Sequence, residues 1–310
     1  MATIATAARQ TVDVPHYGPT GRSEWLDIDW REHQRWVRVE DRWMNVIDIG
    51  PEDGGDGTIV WIHGLAGSWQ NWLENLPHFA RTHRCVAMDL PGFGASEMPA
   101  HKISIAGYAR TVDALLTELG IERAAVVGNS MGGFIGAELA IQFSTWVQRL
   151  VLVSAAGLTI EHQRFEPVLG ALRVGKNVMA YGTGWLASKA DWLARRPRSR
   201  HAMFGIVAAH PSRLPGPLVA EQLRGSGKPG FVDALDALTD YPIRDRLERI
   251  QAPALVVWGE DDMLVPVRDA WEFGELIPDA RVVVYADTGH VAMLERPDAF
   301  NALVAGFLAE

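Results

Sequence analysis

Six short apolar runs carry no polar alternation: Thr58–Ile62, Cys85–Met88, Ala124–Val127, Leu150–Val153, Ala254–Trp258 and Val282–Tyr285. A strand with one wet face alternates. One without alternation is buried on both faces, as happens when helices cover both sides of a parallel sheet. Helix-length patterns lie between the runs, at Trp69–Ala80, Ile103–Leu119, Gly132–Phe143, Val267–Leu276 and Pro297–Leu308. Strand and helix in alternation with short connections make an α/β architecture. Ahead of them the text from Trp36 to Ile49 alternates around Glu40-Asp41 and reads as a β-hairpin.

Two segments stand outside this rhythm. Residues 1–24, with Pro15, Gly18, Pro19 and Gly21, read as an irregular N-terminal arm. Trp25, Trp30, Trp36 and Trp43 follow and read as packing on the sheet edge. Residues 159–240 hold helix-like stretches broken by Gly and Pro but no buried strand, and they are too long for a loop. They read as a helical cap inserted into a core made of 25–158 and 241–310. The insertion carries 11 Lys/Arg against 7 Asp/Glu, a net +4 that leaves −13 for the rest. Trp185, Leu186, Trp192, Leu193 and Met203 are candidate pocket residues, although at helical spacing internal packing is the competing reading. The basic run Arg195–Arg200 reads as a solvated turn, because Pro197 interrupts any helix there.

Composition narrows the function classes. The 310 residues carry a net charge of −9, which disfavours nucleic acid as a partner because phosphate neutralisation needs a basic surface. The single cysteine, Cys85, allows neither a disulfide framework nor a cysteine metal site. Nothing approaches the ~18 apolar residues of a transmembrane segment, and the N-terminus lacks a secretory pattern. The expectation is a cytoplasmic protein acting on a small molecule, with homodimer formation left open.

The chemistry concentrates in Val126-Val-Gly-Asn-Ser-Met-Gly-Gly133. A buried strand ends there, a helix pattern begins, and Gly128, Gly132 and Gly133 surround Ser130. A G-x-S-x-G between strand and helix is a nucleophile elbow, with the serine at the sheet's C-terminal edge and free helix N–H groups beside it. A serine needs an adjacent base. Of ten histidines, His63 and His290 directly follow buried strands, where sites of such sheets are built. His290, in Ala286-Asp-Thr-Gly-His290, reads as the base. His63, ahead of Gly64-Leu-Ala-Gly67, reads as a loop-positioning residue. The acid that fixes the base's tautomer comes from Gly259-Glu-Asp-Asp-Met-Leu-Val-Pro266, where Glu260, Asp261 and Asp262 are equivalent by spacing.

With these residues in order, the chain resembles the α/β-hydrolase superfamily, and within it capped bacterial carboxylesterases and lipases with a Gly-Asn-Ser-Met-Gly-Gly elbow. The similarity runs over residues ~35–308: His63-Gly64, Asp89-Leu-Pro-Gly-Phe-Gly-Ala-Ser96, the elbow, Trp258–Pro266, and Gly289-His290 to Asn301. It implies a mostly parallel eight-stranded sheet flanked by helices with a helical cap. It also selects Asp262 through the spacing Gly259…Asp262…Pro266, and places an oxyanion hole at the main-chain N–H groups of Leu65 and Met131. Gly64, Gly128 and Gly132 then serve as elbow and loop support, and no metal or organic cofactor is required.

The same resemblance orders the substrates. Dehalogenases and epoxide hydrolases of this fold carry Asp at the elbow, where this chain has Ser130. The triad suits acyl transfer, and the Gly64-Leu-Ala-Gly67 loop points to esters of short to medium acyl chains. The rival is a carbon–carbon bond hydrolase of ring-cleavage dienones, to which Trp69-Gln-Asn-Trp72 is similar. Against it stand the missing Gly-Pro-Gly in the oxyanion loop and Val291, where that group carries Trp. A lactonase, a cofactor-free perhydrolase or haloperoxidase, and a hydroxynitrile lyase use the same machinery. A non-catalytic receptor-like member is disfavoured because candidates for all three triad positions are present.

Overall fold

The computed structural model describes residues 11–158, 189–225, 228–239 and 241–310. Nine strands form one sheet: β1 (Thr11–Val12), β2 (Gln34–Val39), β3 (Arg42–Ile49), β4 (Thr58–Ile62), β5 (Arg84–Met88), β6 (Ala124–Asn129), β7 (Val147–Val153), β8 (Ala254–Gly259) and β9 (Ala280–Tyr285). Their order is β1-β9-β8-β7-β6-β4-β5-β3-β2. The hairpin β2–β3 is antiparallel, as is β3 to β5, and every other pairing is parallel. Glu40 and Asp41 form its turn, both with positive φ, which matches the right-handed twist of the flanking strands.

Both faces of the sheet are buried, as the lack of alternation predicts. In β4, Val60 and Ile62 enter one apolar cluster while Ile59 and Trp61 enter the other. Trp61 packs there against Trp72 and Phe79 at tilted angles, with centroids 5.0 and 5.3 Å away. The flanking helices include α1 (Leu76–Phe79), α2 (Ile105–Glu118), α3 (Met131–Gln142), and four helices from the insertion: α4 (Ala190–Ala194), α5 (Pro197–Phe204), α6 (Gly216–Gly225) and α7 (Phe231–Thr239). They are completed by α8 (Arg268–Leu276), α9 (Ala292–Glu295) and α10 (Pro297–Leu308). The N-cap Ser104 starts α2 by accepting from Gly107 N at 3.1 Å.

Four expectations need correction. The sheet has nine strands, not eight, because Thr11–Val12 of the arm pairs with Val284 and Tyr285 on the open edge of β9. The pattern Trp69–Ala80 is not one helix: a 3₁₀ turn over Trp69–Trp72 ends before α1 begins at Leu76. Pro77 lacks an N–H and is tolerated only in a first turn. Trp25 is buried and Trp30 packs at a tilt against Trp69 at 4.9 Å, but Trp36 and Trp43 are 50% and 46% exposed. Pro197 does not interrupt a helix but opens α5, where the missing N–H would have had no partner anyway.

No strand occurs among the described residues of the insertion, whose segments reach onto loops at the sheet's C-terminal edge. Gly230 N donates to Gly92 O at 3.0 Å, and Gln222 Nε2 to Gln70 O at 2.8 Å. Leu193 and Met203 pack against the core cluster, Trp192 stays 51% exposed under Arg196, and Trp185 and Leu186 lie outside the described residues. Within the core, α3 is anchored through the buried carboxylate of Glu138. It accepts from Arg246 Nη2 at 2.5 Å and from Tyr241 Oη at 2.6 Å. Removing one partner of a buried pair leaves the other charge uncompensated. Arg246→Ala should therefore cost about 3 kcal/mol, the low end of the usual range because Arg246 is itself partly exposed. Urea unfolding measures this.

Candidate active site

The end of β6 carries a strained serine. Ser130 has φ +56° and ψ −116° at the N-cap of α3, a conformation that costs a non-glycine residue on the order of 1–3 kcal/mol. Its surroundings fix that conformation. Ser130 N donates to Val153 O at 2.9 Å, and its carbonyl accepts from Phe134 N and Ala156 N, each at 3.1 Å. The neighbouring glycines leave room for the turn. A Cβ at Gly132 would lie 2.1 Å from Ile62 O, and one at Gly128 would lie 2.3 Å from Gly132 O.

The exits of two further strands, β8 and β9, supply an acid–imidazole pair. His290 Nδ1 lies 2.7 Å from Asp262 Oδ2, and both side chains are buried. The other Asp262 oxygen accepts from Leu264 N at 2.8 Å and Val265 N at 2.9 Å. A carboxylate on Nδ1 orients the imidazole and leaves Nε2 free to accept. Glu260 and Asp261 use their main-chain N–H groups on Tyr285 O and Thr288 O, and both residues are exposed. Asn129, the chain neighbour of Ser130, donates from Nδ2 to His290 O at 3.3 Å and so joins the two loops.

The loop after β4 crosses the serine so closely that a Cβ on Gly64 would come within 3.1 Å of Ser130 Cβ. His63 holds this loop. Its Nε2 accepts from Leu90 N at 3.0 Å, so Nδ1 carries the proton and donates to Gly64 O at 2.8 Å. The main-chain N–H groups of Leu65 and Met131 have no hydrogen-bond partner among the described residues. Such free donors beside a serine are what an oxyanion binds.

Three buried charged side chains near the site, Asp89, Glu295 and Arg296, are given no role by the sequence pattern. Asp89 accepts from Trp69 N, Asn45 Nδ2 and Ala95 N, all at 2.8 Å, and so ties together the loops after β4 and β5. Glu295 and Arg296 are buried behind His290. Their signals were position, directly after a strand or shortly after the candidate base, and their place in the Asp89–Ser96 and Gly289–Asn301 pieces that resemble the family. A cleft of about 920 Å³ opens beside Asp262 and Gly289, between the insertion's His201–His210 segment and Met263. Among the described residues no group of three or more His, Cys, Asp or Glu side chains is placed to hold a metal ion. Nor is any described helix long and apolar enough to cross a membrane.

Burial lowers the His63 pKa below its ordinary 6.5, with the nearby Asp89 carboxylate opposing. A protonated ring would also set an Nε2–H against Leu90 N–H. As pH falls, the unfolded chain takes up this proton before the folded one does. The His63 contribution is therefore complete above about pH 6.5 and is lost as pH falls toward the lowered value. His63→Gln should show a smaller fall in Tm between about pH 7 and about pH 5 than the native protein.

Known proteins share this architecture. A family model of the alpha/beta hydrolase fold matches residues 57–297. The chain is 31% identical to the dihydrolipoyllysine-residue acetyltransferase component of the acetoin cleaving system of Cupriavidus necator, over 81% of this chain and 63% of that protein. It is 29% identical to the 2-hydroxy-6-oxo-2,4-heptadienoate hydrolase of Pseudomonas putida, over 85% of this chain and 93% of that enzyme. Among solved structures, a bacterial membrane phospholipase A superposes with a TM-score of 0.71 at 27% identity, covering 89% of this chain and 85% of the other. With the topology and the strand-end loops described above, these matches make the chain a hydrolase of the α/β-hydrolase fold family.

Proposed function

We propose that the protein is a serine hydrolase that cleaves carboxylic esters of short to medium acyl chain through an acyl-enzyme. Ser130 Oγ attacks the acyl carbonyl while His290 Nε2 takes its proton. Asp262 holds the imidazole and stabilises the imidazolium. The N–H groups of Leu65 and Met131 receive the oxyanion. As the tetrahedral intermediate collapses, His290 gives its proton to the departing alkoxide. In the second half water adds to the acyl group, its proton passes to His290 and then to Ser130 Oγ, and the carboxylic acid leaves. The insertion 159–240 acts as the cap and forms the acyl pocket.

The observation that carries this reading is the buried 2.7 Å His290–Asp262 pair, joined through Asn129 to a strained serine at a helix N-terminus. A second reading, carbon–carbon bond hydrolysis of a dienone acid, is favoured by the similarity to the Pseudomonas putida hydrolase over most of both chains. It needs the same triad, but the leaving group is then a carbanion that must be protonated at carbon. Gly64-Leu-Ala-Gly67 and Val291 favour the ester.

p-Nitrophenyl esters from acetate to palmitate, assayed with the native protein and with Ser130→Ala, test the proposal. Serine-dependent turnover should peak at octanoate or shorter. Ser130→Ala should lower kcat on the order of 10⁶-fold, and Asp262→Asn on the order of 10⁴-fold. Equal loss in Asp261→Asn and none in Asp262→Asn would reverse the acid assignment. A peak at palmitate would point to a lipase. Serine-dependent cleavage of a dienone acid without ester turnover would establish the second reading.

A further inference from the structure

Five residues beyond His290, the carboxylate of Glu295 is fully buried and receives only donors. Gly289 N reaches both of its oxygens at 3.0 Å, and Val291 N reaches Oε1 at 3.2 Å. The chain is thus gripped on both sides of His290. The other oxygen, Oε2, accepts from Ala209 N of the insertion at 2.8 Å and from Tyr17 Oη of the arm at 2.6 Å. Tyr17 Oη in turn accepts from His210 N at 2.8 Å. Its ring lies under the guanidinium groups of Arg213 and Arg296, 4.7 and 4.9 Å away.

The neighbouring backbone follows the same arrangement. His290 N donates to Val207 O of the insertion at 2.9 Å. A Cβ on Gly289 would lie 2.8 Å from Ala209 N, so the insertion rests directly on this loop. Arg296, also buried, donates to Val14 O, His16 O and Asp287 O at 2.9, 2.9 and 2.8 Å, which pins the arm to the β9 exit.

From this convergence we infer that Glu295 is the positioning residue for His290, and that it couples the base's orientation to the seating of both the arm and the insertion. All four donors to Glu295 are complementary to a carboxylate. An amide of the same shape would turn N–H groups toward donors and leave at least one of them unpaired. Burial pushes the Glu295 pKa up, and the donated hydrogen bonds oppose that shift. Burial also raises the Tyr17 pKa, which keeps its phenol a neutral donor. The donors to the carboxylate come from three separated stretches of chain, so the His290 loop takes its geometry only when all three are docked. A shift of about 1 Å in a catalytic group can cost on the order of 10²-fold in rate.

The inference rests on His290 acting as the base, and the test separates the two. In the native protein, the His290 Nδ1–H shared with Asp262 should give a far-downfield proton NMR signal that needs no substrate. Glu295→Gln should shift or broaden that signal and lower kcat on the order of 10–100-fold while leaving KM nearly unchanged. Tyr17→Phe, which removes one donor, should move the signal in the same sense with a smaller loss of kcat. Asp48→Asn is the control, because it breaks a buried carboxylate pair with Arg84 at the opposite end of the sheet. It should lower Tm and leave signal and kcat unchanged. An unmoved signal in both Glu295→Gln and Tyr17→Phe would overturn the inference, as would losses of activity that simply track Tm. Should Glu295→Gln not fold, Tyr17→Phe decides alone. Absence of ester turnover in the native protein would count against the ester reading only, since the NMR comparison still stands.

Discussion

Burial of the central strands on both faces is the constraint from which the rest follows. A strand packed between two apolar layers has no place for a polar side chain along its length, so polar groups collect where the strands end. In a parallel sheet the C-terminal ends of all such strands share one edge. His63, Asp89, Ser130, Asp262 and His290 follow β4, β5, β6, β8 and β9, and all belong to that edge. The candidate site is the part of the sheet where side chains with chemistry are sterically and electrostatically tolerated.

The charges at this edge are held mainly by main-chain N–H groups. Asp262 accepts from Leu264 and Val265, Asp89 from Trp69 and Ala95, and Glu295 from Gly289, Val291 and Ala209. A buried carboxylate without donors would be too costly to keep charged. One satisfied by several N–H groups is stable and also dictates the path of the loop that supplies them. Each carboxylate therefore acts as a template for a loop. The strain at Ser130 persists for a related reason, since the hydrogen bonds to Val153, Phe134 and Ala156 leave its backbone no alternative.

The insertion and the arm enter through the same chemistry. Val207 O and Ala209 N meet the His290 loop, and Tyr17 inserts its phenol between Glu295 and His210. These are contacts between segments distant along the chain, and most use at least one backbone group, which carries no sequence signature. The arm, whose prolines and glycines suggest irregular chain, nevertheless supplies an edge strand and the Tyr17 contact.

What the sequence determined by itself was periodicity and local turn chemistry. Runs without alternation identify strands buried on both faces. The glycines around Ser130 allow one tight strand-to-helix turn, and Glu40-Asp41 closes a hairpin. These follow from steric and burial rules that act within a few residues. Tertiary structure decided whatever depends on the direction a group faces. Glu260, Asp261 and Asp262 are equivalent by composition, and only the curl of their loop turns Asp262 to His290. Trp36 and Trp43 are as apolar as Trp25, yet they stay about half exposed. Pro197 reads as an interruption until its position at the first turn of α5 is known. Nothing local in the text marks Glu295 and Arg296 as buried, and their burial arises only when the arm, the insertion and the β9 exit close around them. Long-range packing sets the environment of a charged side chain, and no local pattern encodes it.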